Sequence, residues 1–196
     1  MSSRQESRLS RVPRATGLAP WSVSAVCEGH LSLLGPGWRR RGLSNVRAVA
    51  GMEAFKVDAT SSAAPEAVFA LLADGPSWSR WAGPLIRRST WAREGRPPPG
   101  GVGAVRKLGV PPVYSREEIV EYDPPHRLAY TILSGQPVRE YRADVRLRPD
   151  GDGTRIEWAA SFRPAIPGTG RFVRWYLAAI VGGFARRLAA YAAANS

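Results

Sequence analysis

Six short apolar-rich runs, each closed by a turn signal, stand in a row between Leu85 and Phe162. They read LIRRSTWARE, GAVRKLGV, YSREEIVEY, HRLAYTIL, VREYRADVRLR and TRIEWAASF, broken by GRPPPGG, PP, DPP, SGQP and PDGDG. No other feature of the chain restricts its fold as much. Each run is short for a helix and rich in β-branched and aromatic residues, the composition of a strand. Strands in sequence with short connections form an antiparallel meander, because parallel neighbours need crossovers of a dozen or more residues. In VREYRADVRLR, Tyr141, Ala143, Val145 and Leu147 alternate with Glu140, Arg142, Asp144 and Arg146. Arg155 and Glu157 likewise oppose Ile156, Trp158 and Ala160. Such a sheet has one wet and one apolar face. A further strand precedes the six: EAFKVDATS sets Phe55, Val57 and Ala59 against Lys56, Asp58 and Thr60.

An apolar sheet face must be covered. The chain offers one long helix for this, from about Gly170 to Asn195. Val173, Leu177, Ile180, Phe184, Leu188 and Tyr191 recur at steps of three and four, a single apolar stripe. Gly182-Gly183 interrupts it. Interior glycines weaken a helix, so the pair marks a close approach to the sheet, a bend, or room for a bound molecule. Between the first strand and the meander, SAAPEAVFALLADG predicts a helix opened by Pro65, with Glu66 in its first turn and Gly75 at its stop. PSWSRWAGP predicts a second short helix or turn.

The first 51 residues carry no such periodicity. They hold eight Arg against two Glu, so they are much more basic per residue than the rest of a chain whose net charge is +12. Several readings fit: a disordered basic tail, a stretch upstream of a true start at Met52, a signal peptide with Val23-Ser24-Ala25 as its cleavage site, or a transit peptide. A lipoprotein reading of Cys27 fails on Val26, which stands where a small residue is wanted. The domain is therefore placed at 52–196, and a cytoplasmic location is expected. Arg outnumbers Lys by 26 to 2, and the basic excess reads as a solvated surface without a specific nucleic-acid partner. With one cysteine (Cys27) and two histidines (His30 and His126), the chain cannot assemble a Cys/His metal site, and no cofactor is expected. No membrane span is expected either. The best apolar run, Trp175 to Ala185, is eleven residues between Arg174 and Arg186, about half of what a bilayer needs.

The order strand, two short helices, six strands, long helix resembles the helix-grip fold of the START-like, or SRPBCC, superfamily. APEAVFALLADGPSWSRWAGP is similar to that family's first helix pair. EEIVEYDPPHRLAYTILSGQPVREYRADVRL is similar to the central hairpins of its polyketide cyclase/dehydrase and lipid transport branch, and GTRIEWAASFRPAIPGTG to the last strand and the lead into the final helix. The resemblance covers about 52 to 194. It implies an α+β fold, a curved seven-stranded antiparallel sheet gripping the C-terminal helix, with an apolar cavity between them.

On that geometry the expected pocket lining is Trp81, Arg106, Tyr130, Arg139, Tyr141, Trp158, Ile180, Gly183 and Phe184. Tyr and Arg side chains in such a cavity can polarise a ketone. Ordinary core packing of Tyr130, Tyr141 and Trp158, with their polar tips satisfied, is the stronger reading of these three. Of Glu117 and Glu118, at most one faces inward. His126, beside Pro125, reads as a surface turn residue. There is no nucleophile elbow, phosphate-binding glycine loop or HExxH. The resemblance thus implies a small apolar ligand (lipid, polyketide or aromatic compound) held by a carrier or sensor. The alternatives are a cyclase or dehydratase using the same cavity, and a protein interaction module.

Overall fold

The computed structural model describes residues 51–196. The readings of Val23-Ser24-Ala25, Cys27, His30 and the basic start of the chain lie outside the described residues. The order is β1 (Glu53–Ser61), α1 (Pro65–Ala73), a 3-10 turn (Gly75–Ser77), α2 (Trp78–Trp81), β2 (Arg88–Arg93), β3 (Val105–Val110), β4 (Val113–Asp123), β5 (Arg127–Ser134), β6 (Val138–Asp150), β7 (Gly153–Pro164) and α3 (Gly170–Ala194). The strands form one antiparallel sheet in the order β1-β7-β6-β5-β4-β3-β2. β2 to β7 are the meander that the turn signals predict. β1 pairs with β7 and β2 ends the opposite edge, so α1, the 3-10 turn and α2 carry the chain across the sheet.

Pro65 opens α1 and Glu66 stands in its first turn, as expected. The stop differs in detail. Asp74 closes the helix with its N–H on the Ala70 carbonyl, and Gly75 begins the 3-10 turn instead. Gly75 is small for a packing reason, since a Cβ there would meet the Trp91 ring at 2.9 Å.

The sealed core lies where β5, β6 and β7 meet α1 and α3. Leu128, Val145, Leu147, Ile156, Val68, Leu72 and Leu188 are each no more than 2% exposed. The outer face of the sheet holds paired charges. Arg127 bonds Glu121 (2.6 Å) and Asp144, Arg146 bonds Asp144 (3.0 Å), and Lys56 bonds Glu157 (3.2 Å). Much of the sheet's basic charge is thus spent on neighbouring acids.

The Gly182-Gly183 pair resolves into two different environments. A Cβ at Gly182 would touch Arg186 Nη1 at 3.4 Å and Val57 of β1 at 3.6 Å, the latter an ordinary helix–sheet contact. A Cβ at Gly183 would meet only Arg187 Nη1, at 3.0 Å, and so points along the helix surface. By length and composition α3 is apolar enough to cross a membrane, with 44% of its most apolar window buried in the domain. The run Trp175 to Ala185 between the flanking arginines is shorter than the window over which this hydropathy is averaged. Phe172 and Trp175, at the start of α3, are exposed and lie ring to ring at 6.1 Å.

Candidate functional site

Arg106 of β3 and Glu117 of β4 are direct cross-strand partners on the inner face of the sheet. Opposite charges so placed attract, and here both are removed from water. Arg106 is 0% exposed and Glu117 7%. Arg106 Nε donates to Glu117 Oε2 at 2.8 Å, and Nη2 stands at the same distance from that oxygen. Nη1 reaches back to the Leu72 carbonyl at 3.4 Å. The guanidinium plane is sandwiched between Trp78, 4.0 Å from its ring centre, and Tyr130, at 4.6 Å. Trp78 is fixed in turn by its indole N–H on the Leu72 carbonyl and by edge contacts with Trp158 and Phe184. A buried ion pair barely offsets its own desolvation; the two aromatic faces add cation–π attraction to it.

A cavity of about 240 Å³ lies between β3, β4, β5 and β6 on one side and α3 on the other. It deepens along each element. On β4 it runs from exposed Val113 past Ser115 to Glu117, and on α3 from Tyr176 through Ile180 to Phe184. Leu85 and Val113 stand half-exposed or more at the rim, with the β5–β6 turn at Gly135 and Gln136 beside them. Gly135 holds φ at +95°, and a Cβ there would strike the Tyr114 carbonyl at 2.2 Å, so glycine lets this turn close against β4. Leu108, Ile132, Leu177 and Val181 form apolar walls. The inner end is lined by Glu117, Tyr130 and Tyr141. Two larger depressions are open to the outside, one beside Arg186 and Ala189 and one between Phe69 and Pro124. Neither contains a buried charged group.

Burial pushes the Glu117 carboxyl above its ordinary 4.5, against the pull of the Arg106 charge and hydrogen bond. Burial likewise raises both tyrosines, with the Glu117 charge adding to the rise at each. Tyr130 and Tyr141 are therefore protonated at neutral pH and not bases, and each hydroxyl has the other as a hydrogen-bonding neighbour. Among the described residues no group of three or more His, Cys, Asp or Glu side chains is placed to hold a metal ion.

Four of the expected lining residues meet at this cavity: Tyr130, Tyr141, Ile180 and Phe184. Three others are buried and do not line it. Arg106 is the buried partner of Glu117, while Trp158 and Trp81 are core aromatics at 0% and 3% exposure. Two are corrected. Arg139 is exposed on β6, because the β6–β7 register shifts between Arg139 and Arg142 and Glu140 takes φ +51°. That bulge breaks the alternation which would have put Arg139 on the face of Tyr141. Gly183 faces Arg187 and not the cavity. The main addition is Glu117. In Glu117-Glu118-Ile119-Val120 both parities offer one acid and one apolar residue, so alternation alone cannot choose. Counting back from the Pro111-Pro112 turn would have found it, since the hairpin register sets Glu117 opposite Arg106. Glu118 points outward to Arg93, and His126 is exposed in the β4–β5 turn.

Comparison with known proteins agrees with this fold. Residues 52–193 match the family described as polyketide cyclase / dehydrase and lipid transport. Uncharacterized proteins of Mycobacterium tuberculosis and Mycobacterium bovis are each 30% identical over 106 residues. The match takes in 53% of this chain and 61% of the relatives' length. The crystal structure of Ara h 8.0201 superposes with a TM-score of 0.61 at 21% identity, over 74% of this chain and all of that one. A putative uncharacterized protein from Bacillus thuringiensis superposes at 0.59 with 19% identity, over 71% and 98%. The family match, the seven-stranded sheet and the gripped C-terminal helix together make this chain a member of the polyketide cyclase/dehydrase and lipid transport family, with the START-like helix-grip fold.

Proposed function

We propose that the domain binds a small hydrophobic ligand in the cavity between the sheet and α3, as a carrier or sensor. The observation that carries this reading is the cavity itself. It opens at Val113, Leu85 and Tyr176, continues inward between apolar walls, and ends on a buried charged pair. A domain that used this region only for stability would fill it, since interiors pack to crystal-like density. The test is mass spectrometry of organic molecules extracted from the purified protein, paired with Ile180→Phe. The added ring occupies the cavity, so the expected result is a bound small molecule in the parent and its loss from a folded variant. Equal recovery from both would place the ligand elsewhere.

A second reading, a cyclase or dehydratase, is favoured by one observation. Glu117, Tyr130 and Tyr141 all line the cavity, so a proton acceptor and phenolic groups border one space. Turnover of a ketone-bearing ligand that stops in Glu117→Gln, with ligand still bound, distinguishes it from a carrier.

A further inference from the structure

We infer that the cavity selects a neutral one- or two-ring molecule whose inner end carries a hydroxyl or N–H donor, and that it discriminates against carboxylates such as fatty acids. The inference rests on the binding role proposed above and adds the class of ligand.

Size gives the first half. An apolar cavity of about 150 Å³ suffices for benzene, and pockets for drug-sized ligands begin at roughly 300 Å³. At about 240 Å³ this cavity falls between them. One or two fused rings fit; two acyl chains do not. The walls agree, since Leu108, Ile132, Leu177, Val181 and Phe184 present only hydrocarbon.

The inner end gives the second half. Arg106 places both of its close contacts on Glu117 Oε2. Oε1 accepts none of the described hydrogen bonds, and Glu117 lines the cavity. An acceptor therefore faces the ligand in a setting of low dielectric, where leaving it unmatched is costly. The charge of the pair is already balanced. A ligand ammonium would add an uncompensated positive charge beside the Arg106 guanidinium, and a ligand carboxylate would set a second anion against Glu117. A neutral donor satisfies Oε1 without either cost. Tyr130 and Tyr141 line the same cavity, and their hydroxyls are hydrogen-bonding neighbours of each other, which leaves Oε1 as the acceptor to be matched.

The test is isothermal titration of the full chain at pH 8 with naphthalene, 2-naphthol and 2-naphthoate. These share one ring system and differ only at the polar end. The expected order is 2-naphthol about tenfold or more tighter than naphthalene, as for a hydrogen bond to a charged group, with 2-naphthoate no tighter than naphthalene. The pair replacement Arg106→Met with Glu117→Leu removes both charges together and so leaves neither stranded. It should abolish the 2-naphthol preference while naphthalene still binds. Naphthalene and 2-naphthol binding equally overturns the donor assignment and leaves the cavity-binding role standing. Tighter binding of 2-naphthoate than of 2-naphthol overturns it too. No binding of any of the three overturns both.

Discussion

The space between sheet and helix has two ends built from the same kinds of residue and to opposite effect. At one end Leu128, Val145, Leu147, Ile156 and Leu188 close on α1 and α3 until none is more than 2% exposed. At the other, Val113, Leu85 and Tyr176 stand in solvent around an opening, and behind them a charged pair sits where hydrocarbon would be simpler. The filled end fixes the fold. The open end gives up packing that the fold could have used, and what it gains is a space with a defined polar floor. On the proposed binding role, stability and binding are divided along the length of α3.

Substitutions separate the two ends by size of effect. Val145→Asp at the filled end buries an unpaired carboxylate and should cost ~4 kcal/mol or more. Circular dichroism is expected to show an unfolded chain at room temperature. A folded variant would mean that this end is looser than described. Glu117→Leu at the open end strands the Arg106 guanidinium and should cost roughly 3–5 kcal/mol in urea unfolding. Arg106→Met with Glu117→Leu should recover most of that loss, because the charges leave together. A double variant as unstable as the single would show that Trp78 and Tyr130 depend on the guanidinium for their packing.

The same pair predicts a pH dependence. Because burial raises Glu117, the folded chain binds more protons than the unfolded one between 4.5 and the raised value. Stability at this position therefore falls as pH rises through that interval. Melts from pH 4.5 upward should show a downward slope that the double variant lacks. Asp144 acts with the opposite sign. Burial alone would raise it, but hydrogen bonds and charges from Arg127 and Arg146 together hold it below its ordinary 3.8, so its stabilisation is lost only under more acid conditions. The smallest effect belongs to the outer face. Arg146, about half exposed, should be replaceable by alanine at a cost under ~0.5 kcal/mol in the same urea assay. A larger loss would make the outer charge lattice part of the fold.

Much of this architecture is legible in the sequence for a plain reason. Turn residues and two-residue alternation are local, and the six runs after Leu85 carry both, so strand order and the faces of β1, β7 and β6 from Tyr141 onward follow from counting. The candidate site is less legible because its features are non-local or irregular. Arg139 is misplaced by a bulge that no turn signal marks. Gly182 and Gly183 are adjacent in sequence yet face different neighbours, and only the helix's rotation on β1 decides which. Glu117 needs its cross-strand partner to be recognised, because Ile119 and Val120 make either parity plausible. Cavity size depends on how far α3 stands from the sheet, which apolar periodicity does not encode.

The most direct measurement compares both ends in one spectrum. Methyl-labelled protein is titrated with naphthalene, and methyl chemical shifts are followed by NMR. Saturable shifts are expected at Leu108, Ile132, Leu177, Ile180 and Val181, which line the cavity, and none at Val145, Leu147, Ile156 or Leu188. Shifts confined to the second group, or an unchanged spectrum at millimolar ligand, would contradict it.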